Sequence, residues 1–189
     1  MATFQASAEH APVLSALGIR DYETAMAHEG GTPRSVHAGR SVVEIADGLF
    51  LKRSTEGLRE IRREVAAMSR LGAGPGPSPV PALAAGEGLS GGFLVTARPG
   101  GAIPLEDALH AGRGPERRSL ARTLGESVRA LHDRDLRYPD LLARHVLVGP
   151  GEHVWLIDVG RLASGRGARS RARDLAALQE WLQVLFEGG

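Results

Sequence analysis

The apolar pattern of the chain changes character once, at Arg98-Pro-Gly-Gly101, and that break constrains the fold more than any other feature. Before it, Ser41 to Ile45 and Leu49 to Lys52 predict two strands about an Asp47-Gly48 hairpin turn. Val80 to Ala85 and Gly92 to Thr96 predict further strands. A short helix is expected over Asp21 to His28, with Asp21 as its N-cap. A longer one is expected from about Gly57 to Leu71, where Leu58, Ile61, Val65, Met68 and Leu71 fall three or four apart. The run Gly72-Ala-Gly-Pro-Gly-Pro-Ser-Pro79 ends it. After the break, Pro104 to His110 and Pro115 to Arg134 predict helices, the second with a stripe of Leu120, Leu124, Val128 and Leu131. Two short strands follow, His145 to Val148 and Val154 to Ile157, joined by a Gly-Pro-Gly turn, and then a helix from roughly Ser170 to Phe186. This order predicts an α+β chain in two unequal parts, residues 1–97 and 98–189, with a cleft between them.

Composition removes several classes of chemistry. The 189 residues contain no cysteine, so disulfides, zinc–thiolate sites and cysteine nucleophiles are excluded. The formal net charge of +1 supplies no global field for nucleic acid. No apolar run approaches the roughly 20 residues that cross a bilayer, and no secretory signal is visible. The expectation is a cytoplasmic protein that meets a membrane, if at all, from its surface.

The residues that carry chemistry cluster late in the chain. In Val154-Trp-Leu-Ile-Asp158-Val-Gly160-Arg161 an apolar strand delivers a carboxylate at its end, and a glycine two residues on permits a sharp turn. A carboxylate so placed can ligate Mg2+. Upstream, Asp140 precedes His145 by five positions, the separation of aspartate and metal-holding residue in the kinase catalytic loop. Early in the chain, Lys52 ends an apolar strand, where an ammonium is costly unless it meets phosphate or carboxylate. On the neighbouring helix Glu64 lies about 60° from the centre of the apolar face and Glu60 about 100°, which makes Glu64 the better partner. Each residue also has a plain structural reading: Asp158 as a turn cap, His145 as a satisfied buried histidine, Lys52 as a solvated strand end. The run Arg166, Arg169, Arg171, Arg173 reads as a solvated helix start or as a receiver for an anionic acceptor.

Asp140-Leu-Leu-Ala-Arg-His145-Val-Leu-Val, followed by Leu156-Ile-Asp158-Val-Gly-Arg161, resembles the lipopolysaccharide kinase (Kdo/WaaP) family, which is similar to protein kinases but carries histidine where they have asparagine. Leu49-Phe-Leu-Lys52-Arg resembles the strand with the ATP-binding lysine, and Arg63-Glu64-Val-Ala-Ala-Met-Ser-Arg-Leu71 the helix with its glutamate partner. The resemblance implies a small bilobal kinase-like fold and ATP-dependent transfer of a phosphoryl group to a hydroxyl, by analogy on Kdo or heptose of a lipopolysaccharide core. It implies Asp140 as the catalytic residue, Lys52 and Glu64 on ATP, and His145 and Asp158 on the metal, Mg2+ with Mn2+ admitted by the imidazole. Arg173-Asp174-Leu-Ala-Ala-Leu178 resembles the acidic start of a helix in the second lobe, where Asp174 would brace the catalytic loop. Partners would be ATP and a sugar or glycolipid, at the cytoplasmic face of the inner membrane. The sequence also departs from the pattern. No G-x-G-x-x-G loop precedes Lys52, and Tyr138-Pro139 stand where kinases carry histidine and arginine. A pseudokinase-like scaffold and a serine/threonine protein kinase are therefore the alternative readings.

Overall fold

The structure is a computed structural model that describes residues 2–55, 58–111, 114–165 and 168–187. Gly57 and Arg166, both named above, lie outside the described residues. In chain order the elements are β1 (Thr3–Ala6), α1 (Ala11–Ala16), α2 (Tyr22–Met26), β2 (Thr32–His37), β3 (Arg40–Ala46), β4 (Leu49–Ser54), α3 (Leu58–Gly72), β5 (Ser78–Pro79), β6 (Ala82–Gly88) and β7 (Gly91–Ala97). They continue with β8 (Ile103–Pro104), α4 (Leu105–Ala111), α5 (Gly114–Asp133), β9 (Leu136–Arg137), β10 (Val146–Val148), β11 (Val154–Leu156), β12 (Ala163–Ser164) and α6 (Ala168–Glu187). The chain divides into two compact units, residues 1–66 with 80–99 and residues 67–79 with 100–189. The division falls within α3.

The first unit is built on an antiparallel six-stranded sheet in the order β1-β6-β7-β4-β3-β2. The Asp47-Gly48 hairpin forms where the sequence places it, with Gly48 at φ 69°, a conformation only glycine adopts without strain. One face of the sheet is apolar: Val43, Ile45, Leu51, Leu83, Phe93 and Val95 pack with Leu14, Tyr22 and Ala25 of the two short helices and Ile19 between them. Helix α2 is started by a capping box, in which the Asp21 carboxylate accepts from the Thr24 main-chain N–H at 2.8 Å. The Tyr22 hydroxyl donates to the Gly91 carbonyl at 3.2 Å and so ties this helix to β7.

The second unit has a four-stranded sheet in the order β5-β11-β10-β8 and a two-stranded ribbon of β12 and β9. The β10–β11 hairpin pairs Val146 with Leu156 and Val148 with Val154, so its ends bring residues 145 and 157 together. Helix α5 buries Leu120, Leu124, Val128 and Leu131, the stripe read from the sequence, and α6 buries Leu178 and Trp181. Two arginines tie irregular backbone into this unit. Arg134 donates to the carbonyls of Leu71 and Pro75, and Arg70 donates to the Leu162 carbonyl at 2.7 Å and the Ser164 hydroxyl at 3.0 Å. Among the described residues no helix is long and apolar enough to cross a membrane.

Candidate active site

Within the first unit, Lys52 lies on β4 opposite Val42 of β3 and Leu94 of β7. Side chains alternate across a strand, so Leu51 faces the core while Lys52 takes the opposite face. Arg53 turns back, and its guanidinium donates to the carbonyls of Met26 and His28. The Lys52 Nζ donates to both carboxylate oxygens of Glu64, at 2.9 and 2.8 Å. This is a partly buried pair: the Glu64 side chain is 7% exposed and that of Lys52 20%. Glu60 instead pairs with Arg40 nearer the surface. On α3 the buried positions are Ile61, Glu64, Ala67, Met68 and Leu71, whereas Val65 is only half buried. The buried stripe is thus rotated from the purely apolar one, and the carboxylate takes a place within it.

Within the second unit, Asp140, His145 and Asp158 come together at the ends of the β10–β11 hairpin. The Asp140 carbonyl accepts from the Leu142 N–H at 2.8 Å and lies 2.9 Å from His145 Nδ1. A carbonyl can only accept, so Nδ1 carries the proton, and in the neutral ring Nε2 presents a lone pair. That Nε2 stands 3.8 Å from Asp158 Oδ2. Asp158 itself is left-handed, φ 58°, a strained conformation for a residue with a Cβ. The fully buried Tyr138 supports it, its hydroxyl donating to the Ile157 carbonyl at 2.6 Å and reaching the Asp158 carbonyl at 3.2 Å. Ile157 in turn donates its N–H to the His145 carbonyl.

Two features of this cluster escaped the sequence reading. One is the Tyr138 hydroxyl, noted there only as a departure from the usual histidine. The other is Arg161, whose Nη1 donates to the Asp140 carboxylate at 2.9 and 3.3 Å. Asp174 is 2% exposed; its Oδ2 lies 2.9 Å from His132 Nε2 and 3.4 Å from the Tyr138 main-chain N–H. His132, near the end of α5, thereby faces the buried Asp174 carboxylate.

A divalent ion fits the imidazole and carboxylate. The imidazole nitrogen and the carboxylate, 3.8 Å apart, are donor types that would hold one between them after a small closing movement. Among the described residues there is no cluster of three or more metal-ligating side chains. A cation held here would complete its shell with phosphate oxygens and water, which is how Mg2+ is commonly bound.

The family model described as the lipopolysaccharide kinase (Kdo/WaaP) family matches residues 12–185, nearly the whole chain. Among solved structures, monomeric WbdD is 21% identical with a TM-score of 0.55, covering 76% of this chain and 37% of that one. WbdD in complex with the kinase inhibitor LY294002 is 20% identical with a TM-score of 0.56, covering 78% and 36%. A third structure, of WbdD described as a bifunctional kinase-methyltransferase, is 23% identical with a TM-score of 0.50, covering 67% and 30%. At these identities the likeness is one of fold, a kinase-like α+β fold, and the chain spans little more than a third of the WbdD length. No curated protein matches.

Proposed function

This chain belongs to the lipopolysaccharide kinase (Kdo/WaaP) family and is a kinase-family enzyme, and from that membership we propose that it transfers the terminal phosphoryl group of ATP to a hydroxyl on a lipopolysaccharide-core sugar, Kdo or a heptose. Residues 1–97 act as the nucleotide lobe and 98–189 as the catalytic lobe. The Asp140 carboxylate orients the acceptor hydroxyl and takes its proton as the oxygen attacks the γ-phosphorus, and the bond to the β-phosphate oxygen breaks to release ADP. Lys52, steadied by Glu64, holds the α- and β-phosphates. His145 and Asp158 hold a divalent cation, Mg2+ or Mn2+, which when bound offsets the charge of the triphosphate. Catalysis is then positioning and charge neutralisation. A glycolipid acceptor places the enzyme in the cytoplasm, in peripheral contact with the inner membrane.

The observation that carries this reading is the tie between Asp140 and the His145–Asp158 pair: one histidine fixes the backbone of the first and faces the carboxylate of the second. Asp140→Asn tests it. ATP turnover should fall to a small residual while nucleotide binding persists, and unchanged turnover would remove Asp140 from its role.

A second reading, a pseudokinase-like binding module, is favoured by one specific feature. The hairpin of β2 and β3 is closed by Ala38-Gly39 alone, with His37 paired to Arg40. So tight a turn supplies fewer backbone N–H groups for phosphate than a glycine-rich loop does. Thermal-shift titration with ATP and Mg2+ or Mn2+ separates the readings, because a ligand that binds only the folded state must stabilise it. No shift at millimolar nucleotide would favour the binding module.

A further inference from the structure

We infer that Arg161 is a positioning residue for the phosphoryl transfer, aiming the Asp140 carboxylate at the acceptor hydroxyl; the inference rests on the function proposed above. The main chain at Asp140 is already fixed, since its carbonyl is engaged by Leu142 and His145. Its side chain still has two torsions to set. Arg161 Nη1 sets them through a charge-assisted bond of 2.9 Å to Oδ1 and a longer contact of 3.3 Å to Oδ2. One oxygen is thus held firmly, and the other keeps lone-pair capacity for a hydroxyl proton.

Arg161 is itself well placed to do this. It ends the single 3₁₀ turn Val159–Arg161 that begins at Asp158. That turn is closed by the Leu162 N–H on the Val159 carbonyl at 2.8 Å and pinned by Val159, which is 1% exposed. The same turn therefore sets the Asp158 carboxylate and the guanidinium that holds Asp140. A guanidinium stays charged at every working pH, so the hold does not depend on its protonation.

A plain surface ion pair is the competing description, because the Arg161 side chain is 74% exposed. Such pairs contribute little to stability, so that description predicts that removing Arg161 changes nothing measurable. Positioning predicts a loss of rate without a loss of stability.

The experiment measures ADP release from ATP with Mg2+, together with thermal midpoints, for the wild type, Arg161→Gln, Arg161→Lys, Asp140→Asn and the Asp140→Asn/Arg161→Gln double variant. Arg161→Gln should lower kcat about fivefold, the scale of one lost ion pair, with KM for ATP and the midpoint unchanged. Arg161→Lys should restore part of the rate. In the Asp140→Asn background, Arg161→Gln should change the residual turnover by less than about twofold, since its target is gone. Unchanged kcat in Arg161→Gln, beside a nearly inactive Asp140→Asn, would overturn the role of Arg161 alone. The same fold loss with and without the Asp140 carboxylate would overturn it too. Full turnover in Asp140→Asn, or none in the wild type, would instead sink the proposed function on which it rests.

Discussion

Lys52→Met should be strongly destabilising although it leaves the apolar core untouched, and its cost follows from the asymmetry of one ion pair. The Glu64 carboxylate is 7% exposed and receives two bonds from the Lys52 ammonium, which is 20% exposed. Removing one partner of a buried pair costs about 3–5 kcal/mol, because the other charge stays buried and uncompensated. Residual exposure at the lysine end places Lys52→Met near 3 kcal/mol on that scale. The reverse change, Glu64→Leu, leaves an ammonium on a flexible stem that can lean toward water, and should cost about 1–2 kcal/mol. Replacing both by apolar residues of similar volume, Lys52→Met with Glu64→Leu, should come out near neutral. The coupling energy from the four denaturation curves is then about 4–5 kcal/mol. In a chain of this size each kcal/mol moves the thermal midpoint by about 2–4 °C, so Lys52→Met alone should melt about 6–12 °C early. The double variant should recover the midpoint but show no stabilisation by ATP and Mg2+. Strictly additive single costs, within about 0.5 kcal/mol, would refute the reasoning, as would a Lys52→Met protein as stable as the wild type.

Two further outcomes concern the scaffold around the site. Gly91 has φ +128°, and a Cβ there would collide with the Ser54 carbonyl oxygen, so Gly91→Ala should cost more than about 2 kcal/mol. Gly125, in α5 with nothing within 4 Å, is the control: Gly125→Ala should add about 0.5–1 kcal/mol in the same urea titration. The Asp21 carboxyl is held below its ordinary value of 3.8, first by the Thr24 hydroxyl and then by the Thr24 N–H. A depressed carboxyl contributes stability above its unfolded value and loses it as pH falls through the folded one. The stability gap between the wild type and Asp21→Ala should therefore be full above pH 3.8 and close as the solution is acidified below it, which denaturation curves at stepped pH would read.

How much of this was legible depended on period and length. The Asp47-Gly48 hairpin, the α5 stripe and the Asp21 cap were readable because each rests on local rules that the tertiary structure obeys. Strand β2 was not, since Thr32–His37 is an exposed edge strand with no apolar alternation to betray it. The two-residue strands β5, β8, β9 and β12 are shorter than any period and exist only because a partner strand is present. On α3, spacing alone drew the stripe through Val65, but a carboxylate that answers an ammonium on β4 can occupy a buried position that pattern reserves for an apolar residue. Pairing Glu64 with Lys52 was within reach of angular reasoning. Pairing Arg161 with Asp140 was not, because a 3₁₀ turn and a left-handed aspartate carry no sequence period at all.

The loop from Tyr138 to His145 shows why such a candidate site resists reading from pattern. Its backbone runs outside helix and sheet, so its N–H and C=O groups must find partners one by one. Side chains far apart in sequence supply several of them: Asp174 accepts from the Tyr138 N–H, the His145 imidazole serves the Asp140 carbonyl, and the Tyr138 hydroxyl serves the Ile157 carbonyl. Each tie is worth about 1 kcal/mol or a little more, comparable to the strain of a single left-handed residue such as Asp158. The strained turn therefore persists only while its polar neighbours hold it, and Tyr138, Asp174 and His132 sit buried around it.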